Sequence, residues 1–139
     1  MAILILLIIP FNDVFAHEQA IKNMVIHHPY LLKEDSNRAY GFLSVENRGL
    51  KSDYLLKVIS KFSLNSMVLT QSSNSKTLSI FDLSGGLEIP AGDALHFGDD
   101  DLILLFTNLD KKLEWLDLHS AIFFFKNAGI IELEFEVEE

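Results

Sequence analysis

Five imidazoles, three thioethers, a run of three carboxylates and no thiol set the chemistry open to this 139-residue chain. The absence of Cys removes disulfides, Cys nucleophiles, zinc–thiolate centres and thiol redox reactions, so any metal must be held by His, Met, Asp or Glu. No Ser-His-Asp arrangement, phosphate loop or paired-carboxylate cleft is legible, and the expectation is a protein that is not an enzyme. Adjacent His27 and His28 on a strand face opposite ways and do not chelate one ion together. His119 stands alone. Asp99-Asp100-Asp101 would attract Ca²⁺, but three consecutive carboxylates lack the spaced oxygens of a closed site and read as a solvated loop. Met67 and His96 remain as possible soft or imidazole ligands, each with a plain alternative, a gap-filling core methionine and a strand histidine of no special role.

The fifth imidazole, His17, depends on how the chain begins. Ala2 to Pro10 form a short apolar run, Phe11 to Asp13 break it, and Val14-Phe15-Ala16 offers small residues for a leader peptidase, although no Lys or Arg precedes the run. The reading is a signal peptide over residues 1–16, cleaved after Ala16, too short for a permanent membrane span. The exported domain is then 17–139. Its first residue, His17, would present a free α-amine beside its imidazole, a bidentate nitrogen pair that suits Cu(II).

A net charge of −9 with eleven scattered basic residues excludes phosphate-backbone recognition, hence nucleic acid, and disfavours docking on an anionic membrane. An apolar fraction of 49% with eleven Phe describes one folded domain with a bulky interior.

The elements that must position these residues are strands. Ile131, Leu133, Phe135 and Val137 alternate with Glu132, Glu134 and Glu136, one apolar and one solvated face. Asn127-Ala128-Gly129 joins that strand to Ala121–Phe125. Further strands are read at 24–27, 40–46, 54–59, 66–70, 78–83, 94–97 and 102–106, with turns at Asn47-Arg48-Gly49, Gly85-Gly86 and Pro90-Ala91-Gly92. Nine short strands predict a single all-β, Greek-key sandwich or barrel. Its expected core includes Leu43, Val45, Leu56, Val58, Leu104, Phe124, Leu133 and Phe135. The segment from Asp110 to His119 admits one helical turn through Leu113, Trp115 and Leu116, or a loop whose Trp115 plugs the end of the domain, and the loop is the preferred reading.

Ala39 to Gly49, Asp53 to Leu56, Gly85 to Gly92 and Phe125 to Gly129 are four motifs whose order resembles that of the periplasmic copper chaperone family PCu(A)C. Ala39-Tyr40-Gly41-Phe42-Leu43-Ser44-Val45-Glu46-Asn47-Arg48-Gly49 is similar to the family's AYLTIENTG, and Asp53-Tyr54-Leu55-Leu56 to its DRLV. Gly85-Gly86-Leu87-Glu88-Ile89-Pro90-Ala91-Gly92 resembles GGIEIPAG, and Phe125-Lys126-Asn127-Ala128-Gly129 resembles FEKAG. His28-Pro29-Tyr30 is similar to the opening HPW. The resemblance implies a cupredoxin-like fold, periplasmic location, and Cu(I) carried towards the dinuclear copper site of cytochrome c oxidase alongside Sco-type proteins.

The resemblance also implies a His, a Met and a His-x-Met pair as Cu(I) ligands, donors that suit a soft ion. Aligned on Gly85-Gly86 and on Asn108-Leu109, those positions are Leu69, Ile80, Ile103 and Leu105. None of these side chains can bind a metal, so the substitutes to test are His17, Met67 and His96. A copper-free family member acting as a periplasmic interaction module is the alternative.

Overall fold

The computed structural model describes residues 18–71, 77–98 and 101–139, which fold as one all-β domain. Eleven strands are formed: β1 (Gln19–Ile21), β2 (Met24–Lys33), β3 (Arg38–Asn47), β4 (Asp53–Ser60), β5 (Ser63–Gln71), β6 (Leu78–Phe81), β7 (Leu87–Ile89), β8 (Ala94–Phe97), β9 (Leu102–Leu109), β10 (Leu118–Phe125) and β11 (Gly129–Glu138). They form a single sheet in the order β6-β5-β9-β8-β3-β2-β11-β10-β4-β7, with β1 paired to β2. The sheet curls so that Phe62, Phe106, Phe123 and Phe135, each fully buried, pack together in its interior. The two layers expected of a sandwich are therefore two halves of one open, curled sheet.

All nine strands expected from the sequence are present, most of them longer than read. The β2 strand runs on past His27 because an extra residue is absorbed where its pairing with β3 shifts between His27 and Tyr30. His28 takes φ +48 at that bulge, a left-handed conformation uncommon for a residue with a side chain. The three-residue β1 and β7 are too short to show a period in the sequence.

Six of the eight expected core residues are buried: Leu43, Val45, Val58, Leu104, Leu133 and Phe135. Leu56 and Phe124 are corrections. In the pairing of β10 with β4, Phe124 lies opposite Lys57 and Phe125 opposite Leu55, so Leu56 is the extra residue of a bulge. Leu55 and Val58 both reach the core, and Leu56 is turned out. In β10 the continuous apolar run carries no period, and pairing with β11 selects Phe123 and Phe125 for the interior, leaving Phe124 half-buried.

Of the segment read as a loop over 110–119, residues 110–117 form one while Leu118 and His119 open β10, and Trp115 does not plug the domain. Leu113 is the buried residue there, at 5% exposure, while Trp115 is 61% exposed. Two backbone hydrogen bonds, Leu116 N–H to the Val137 carbonyl and Val137 N–H to the Asp117 carbonyl, clamp the loop against the end of β11 and leave Trp115 on the outside of the turn.

Two buried polar side chains fasten the other end. Asn47 donates from Nδ2 to the carbonyls of Lys51 (2.8 Å) and Ile89 (2.9 Å) and accepts from Gly49 N–H (2.9 Å). Asp53 accepts from the N–H groups of Tyr54 (2.7 Å), Asn127 (2.8 Å) and Ala128 (2.8 Å). Gly86, at φ +83, brings its backbone against the Tyr54 ring, where a Cβ would meet Tyr54 Cβ at 2.9 Å.

Phe135→Ala should lower the unfolding free energy by about 3–5 kcal/mol in denaturant titration, while Leu56→Ala at the bulge should cost less than about 1 kcal/mol. Asp53→Ala leaves three N–H groups without their acceptor. At roughly 1.5–3 kcal/mol per hydrogen bond to a charged group, it should cost about 3 kcal/mol or more. Asp53→Asn, which retains one acceptor oxygen, should recover part of that loss.

Candidate functional site

The pairing of β6, β5 and β9 decides where the four positions implied by the resemblance fall. Leu69 on β5 lies directly opposite Ile80 on β6 and Ile103 on β9, and Leu105 lies opposite Met67. Residues directly opposite share a face, as do residues two apart on one strand. Leu69, Ile80, Ile103 and Leu105 therefore converge on one patch of the outer face, while their neighbours Val68 and Leu104 point into the core. The patch is wholly aliphatic. Leu69 and Leu105 are buried, Ile103 is half-buried and Ile80 is 72% exposed. Met67 joins the same face as the one soft donor there.

Moving across the outer face, the character changes from aliphatic to aromatic to polar. Tyr40 lies opposite Leu105, and Phe42 opposite Tyr30, with those two rings stacked at 4.8 Å and 8°. Next come His27 on β2, Ser44 on β3 and His96 on β8, in one cross-strand row. His96 Nδ1 is 2.7 Å from Ser44 Oγ. Ser44 and Tyr40 are four residues apart on β3, roughly 13 Å, so His96 and Met67 are not brought together. His17 and the 99–100 part of the acidic run lie outside the described residues, and Asp101 is exposed.

His27 is the residue that sequence reasoning passed over. The β1–β2 register pairs Gln19 with Ile26, and the next step brings Glu18 beside His27, with its carboxylate 3.2 Å from Nδ1. The other ring nitrogen, Nε2, is 2.8 Å from Glu46, whose carboxylate also holds the Arg48 guanidinium at 3.2 Å. Hydrogen bonds from Arg48 and then from His27 keep the Glu46 carboxyl below its ordinary range. His28 faces a different carboxylate, Glu138 at 3.5 Å, so the two adjacent imidazoles serve separate partners. The signal for His27 was a two-residue turn, Lys22-Asn23, between short apolar stretches. It marks a hairpin but does not specify which residue meets the chain terminus.

Among the described residues no three His, Asp or Glu side chains converge as a ready metal cage. His119 sits apart, mostly buried beside Phe62, with ring centroids 5.7 Å apart. Its Nε2 has no hydrogen-bond partner, and Asp117 is too distant at 3.9 Å to be one. Burial pushes its pKa below the ordinary 6.5. The unfolded chain then binds the proton more readily. The stabilising contribution is complete above about pH 6.5 and is lost as pH falls towards the lower folded value. Denaturant midpoints of the native protein should decline as pH falls below about 6.5, and His119→Leu should flatten that decline without altering the acid loss at lower pH, where Glu46 and Glu132 take up protons.

No family model and no curated protein matches this sequence. Solved structures do match. The copper-bound PCuAC domain from PmoF2 is similar with a TM-score of 0.70 at 20% identity, covering 88% of this chain and 97% of its own. The apo PCuAC domain from PmoF1 gives 0.71 at 14% identity, covering 88% and 98%. The solution structure of Cu(I)-DR1885 from Deinococcus radiodurans gives 0.63 at 11% identity, covering 88% and 81%. At these identities the likeness is one of architecture: the chain carries the cupredoxin-like β fold of PCuAC domains.

Proposed function

We propose that this chain is an exported copper-handling protein of the PCu(A)C type that takes its ion at the N-terminus of the processed chain and not at the aliphatic patch. The observation that carries this reading is the contact of Glu18 with His27 Nδ1. Cleavage after Ala16 would leave His17, with its amine and imidazole, one residue from that contact. Exchanging Glu18 for a metal ion at Nδ1 would complete a set of three nitrogens, which suits Cu(II). His27 already has the feature that orients a metal-binding imidazole, since its other nitrogen is held by Glu46, itself fixed by Arg48. The fold shared with a copper-bound domain supports copper as cargo. A periplasmic location and delivery towards cytochrome c oxidase with Sco-type partners follow from the motif resemblance and belong to the same proposal. Cu(I) remains the cargo that the resemblance implies, although the donors present favour the oxidised ion.

A second reading, a copper-free interaction module, is favoured by one observation. The four converging positions Leu69, Ile80, Ile103 and Leu105 supply no donor atom, and they merge into the apolar outer face.

Protein from the native cell, shown by mass spectrometry to begin at His17, should bind one Cu(II) tightly and Cu(I) weakly. An added residue before His17, or His27→Gln, should each weaken Cu(II) binding at least tenfold. Leu69→His, Ile80→Met, Ile103→His and Leu105→Met together should create Cu(I) binding, because the scaffold already brings those positions together. Unchanged Cu(II) binding by the blocked protein would place the copper elsewhere. Failure of the correctly processed protein to bind either ion would leave the copper-free reading.

A further inference from the structure

Eleven basic and twenty acidic residues are distributed over this chain, yet none lies in β5, β6 or β9. These three strands are neighbours and form one wing of the sheet, with β6 as its edge. Among the described residues β6 pairs with β5 alone. Leu78, Ser79 and Ile80 are exposed, Leu78 at 45% and Ile80 at 72%. Proteins commonly blunt an edge strand with charge, proline, a bulge or a cover, because its free N–H and C=O groups accept another strand. The opposite edge is blunted: β7 has three residues and carries Glu88, bonded to Ser52. The short β1 is tied across to β11 by the Gln19 side chain, which both accepts from Glu134 N–H and donates to the Glu134 carbonyl. Among the described residues β6, a short strand of four residues, carries no charge, proline or bulge and pairs on one side only.

We propose that β6 is a self-association edge, at which a second copy of this chain adds antiparallel to continue the sheet. Charge selects the occupant. Two copies at −9 repel one another over most of their surface, and the β5-β6-β9 wing is where they can meet without opposing like charges. The strands of the wing carry no counter-charge for a basic partner, with Asp82 and Asp101 only at their ends, whereas an uncharged edge is complementary to itself about a two-fold axis. An axis through Ser79 places Leu78 of each copy opposite Ile80 of the other, giving two apolar cross-strand pairs and keeping the outer faces of both copies on the same side. The flanking Asp82 carboxylates then stand roughly 20 Å apart at 3.4 Å per residue. The edge is remote from His27, so the association does not depend on copper.

Sedimentation equilibrium of the processed protein, with a chelator present, should show a mass that rises with concentration towards twice that of one chain. Ile80→Lys should shift the dissociation constant upward by at least tenfold, with an unchanged thermal unfolding midpoint at dilutions where both proteins are single chains, since the side chain is exposed. The native chain has no Cys, so Ser79→Cys should give a disulfide-linked dimer on mild oxidation, and Leu118→Cys on an unrelated exposed position should not. A single-chain mass at every concentration overturns the proposal. So does a dimer unaffected by Ile80→Lys, which would put the interface elsewhere, or association that appears only with a foreign apolar peptide.

Discussion

A buried polar side chain survives in a protein interior only when its hydrogen bonds are made, and Asn47 and Asp53 are the two on which this architecture turns. Between them they satisfy backbone groups of the 48–51 loop, of β7 and of the turn joining β10 to β11. Gly92 N–H adds a bond to the Asn47 carbonyl, and Asn47 N–H one to the Asp93 carbonyl. Strands far apart in the chain are held in register at one end by this small group. The motifs that carry the family resemblance are largely these same fasteners: the Asn of Glu46-Asn47-Arg48-Gly49, the Asp of Asp53-Tyr54, and the backbone turns of Gly85 to Gly92 and Asn127 to Gly129.

This separates scaffold from cargo. The fasteners lie at the β7 end of the molecule, whereas Leu69, Ile80, Ile103 and Leu105 lie on the opposite wing, next to the β6 edge. Replacing metal donors by aliphatic side chains there removes lone pairs without touching the hydrogen bonds that hold the sheet. The fold therefore places no demand on metal, and the outer face can be aliphatic at one side and rich in imidazole and carboxylate at the other. Stacked Tyr30 and Phe42 form the boundary between the two regions. Each region is suited to a different task, apolar association or ion capture, because desolvation favours the first and fixed donors the second.

What the sequence determined by itself was the class of structure and the lack of donor atoms at the four positions that the resemblance marks. Strict alternation in Ile131–Val137 fixed that strand's inner face, because a period of two admits one phase when the other face is all Glu. The lack of Cys and of donors at four positions was equally plain, since composition and identity need no geometry. Tertiary structure decided matters that depend on pairing. The bulge at Leu56 shifted the inward phase of β4 ahead of it, so that Leu55 and not Leu56 turns in, and an unbroken apolar run left the phase of β10 to be chosen by its neighbours. Leu113 took the place expected for Trp115 because backbone bonds to Val137 hold the loop in one orientation. The approach of Glu18 to His27 arises from the register of a hairpin, and the uncharged wing arises from β9 lying beside β5, two strands more than thirty residues apart in the chain. Such neighbourhoods are set by long-range strand order, which local residue patterns do not encode.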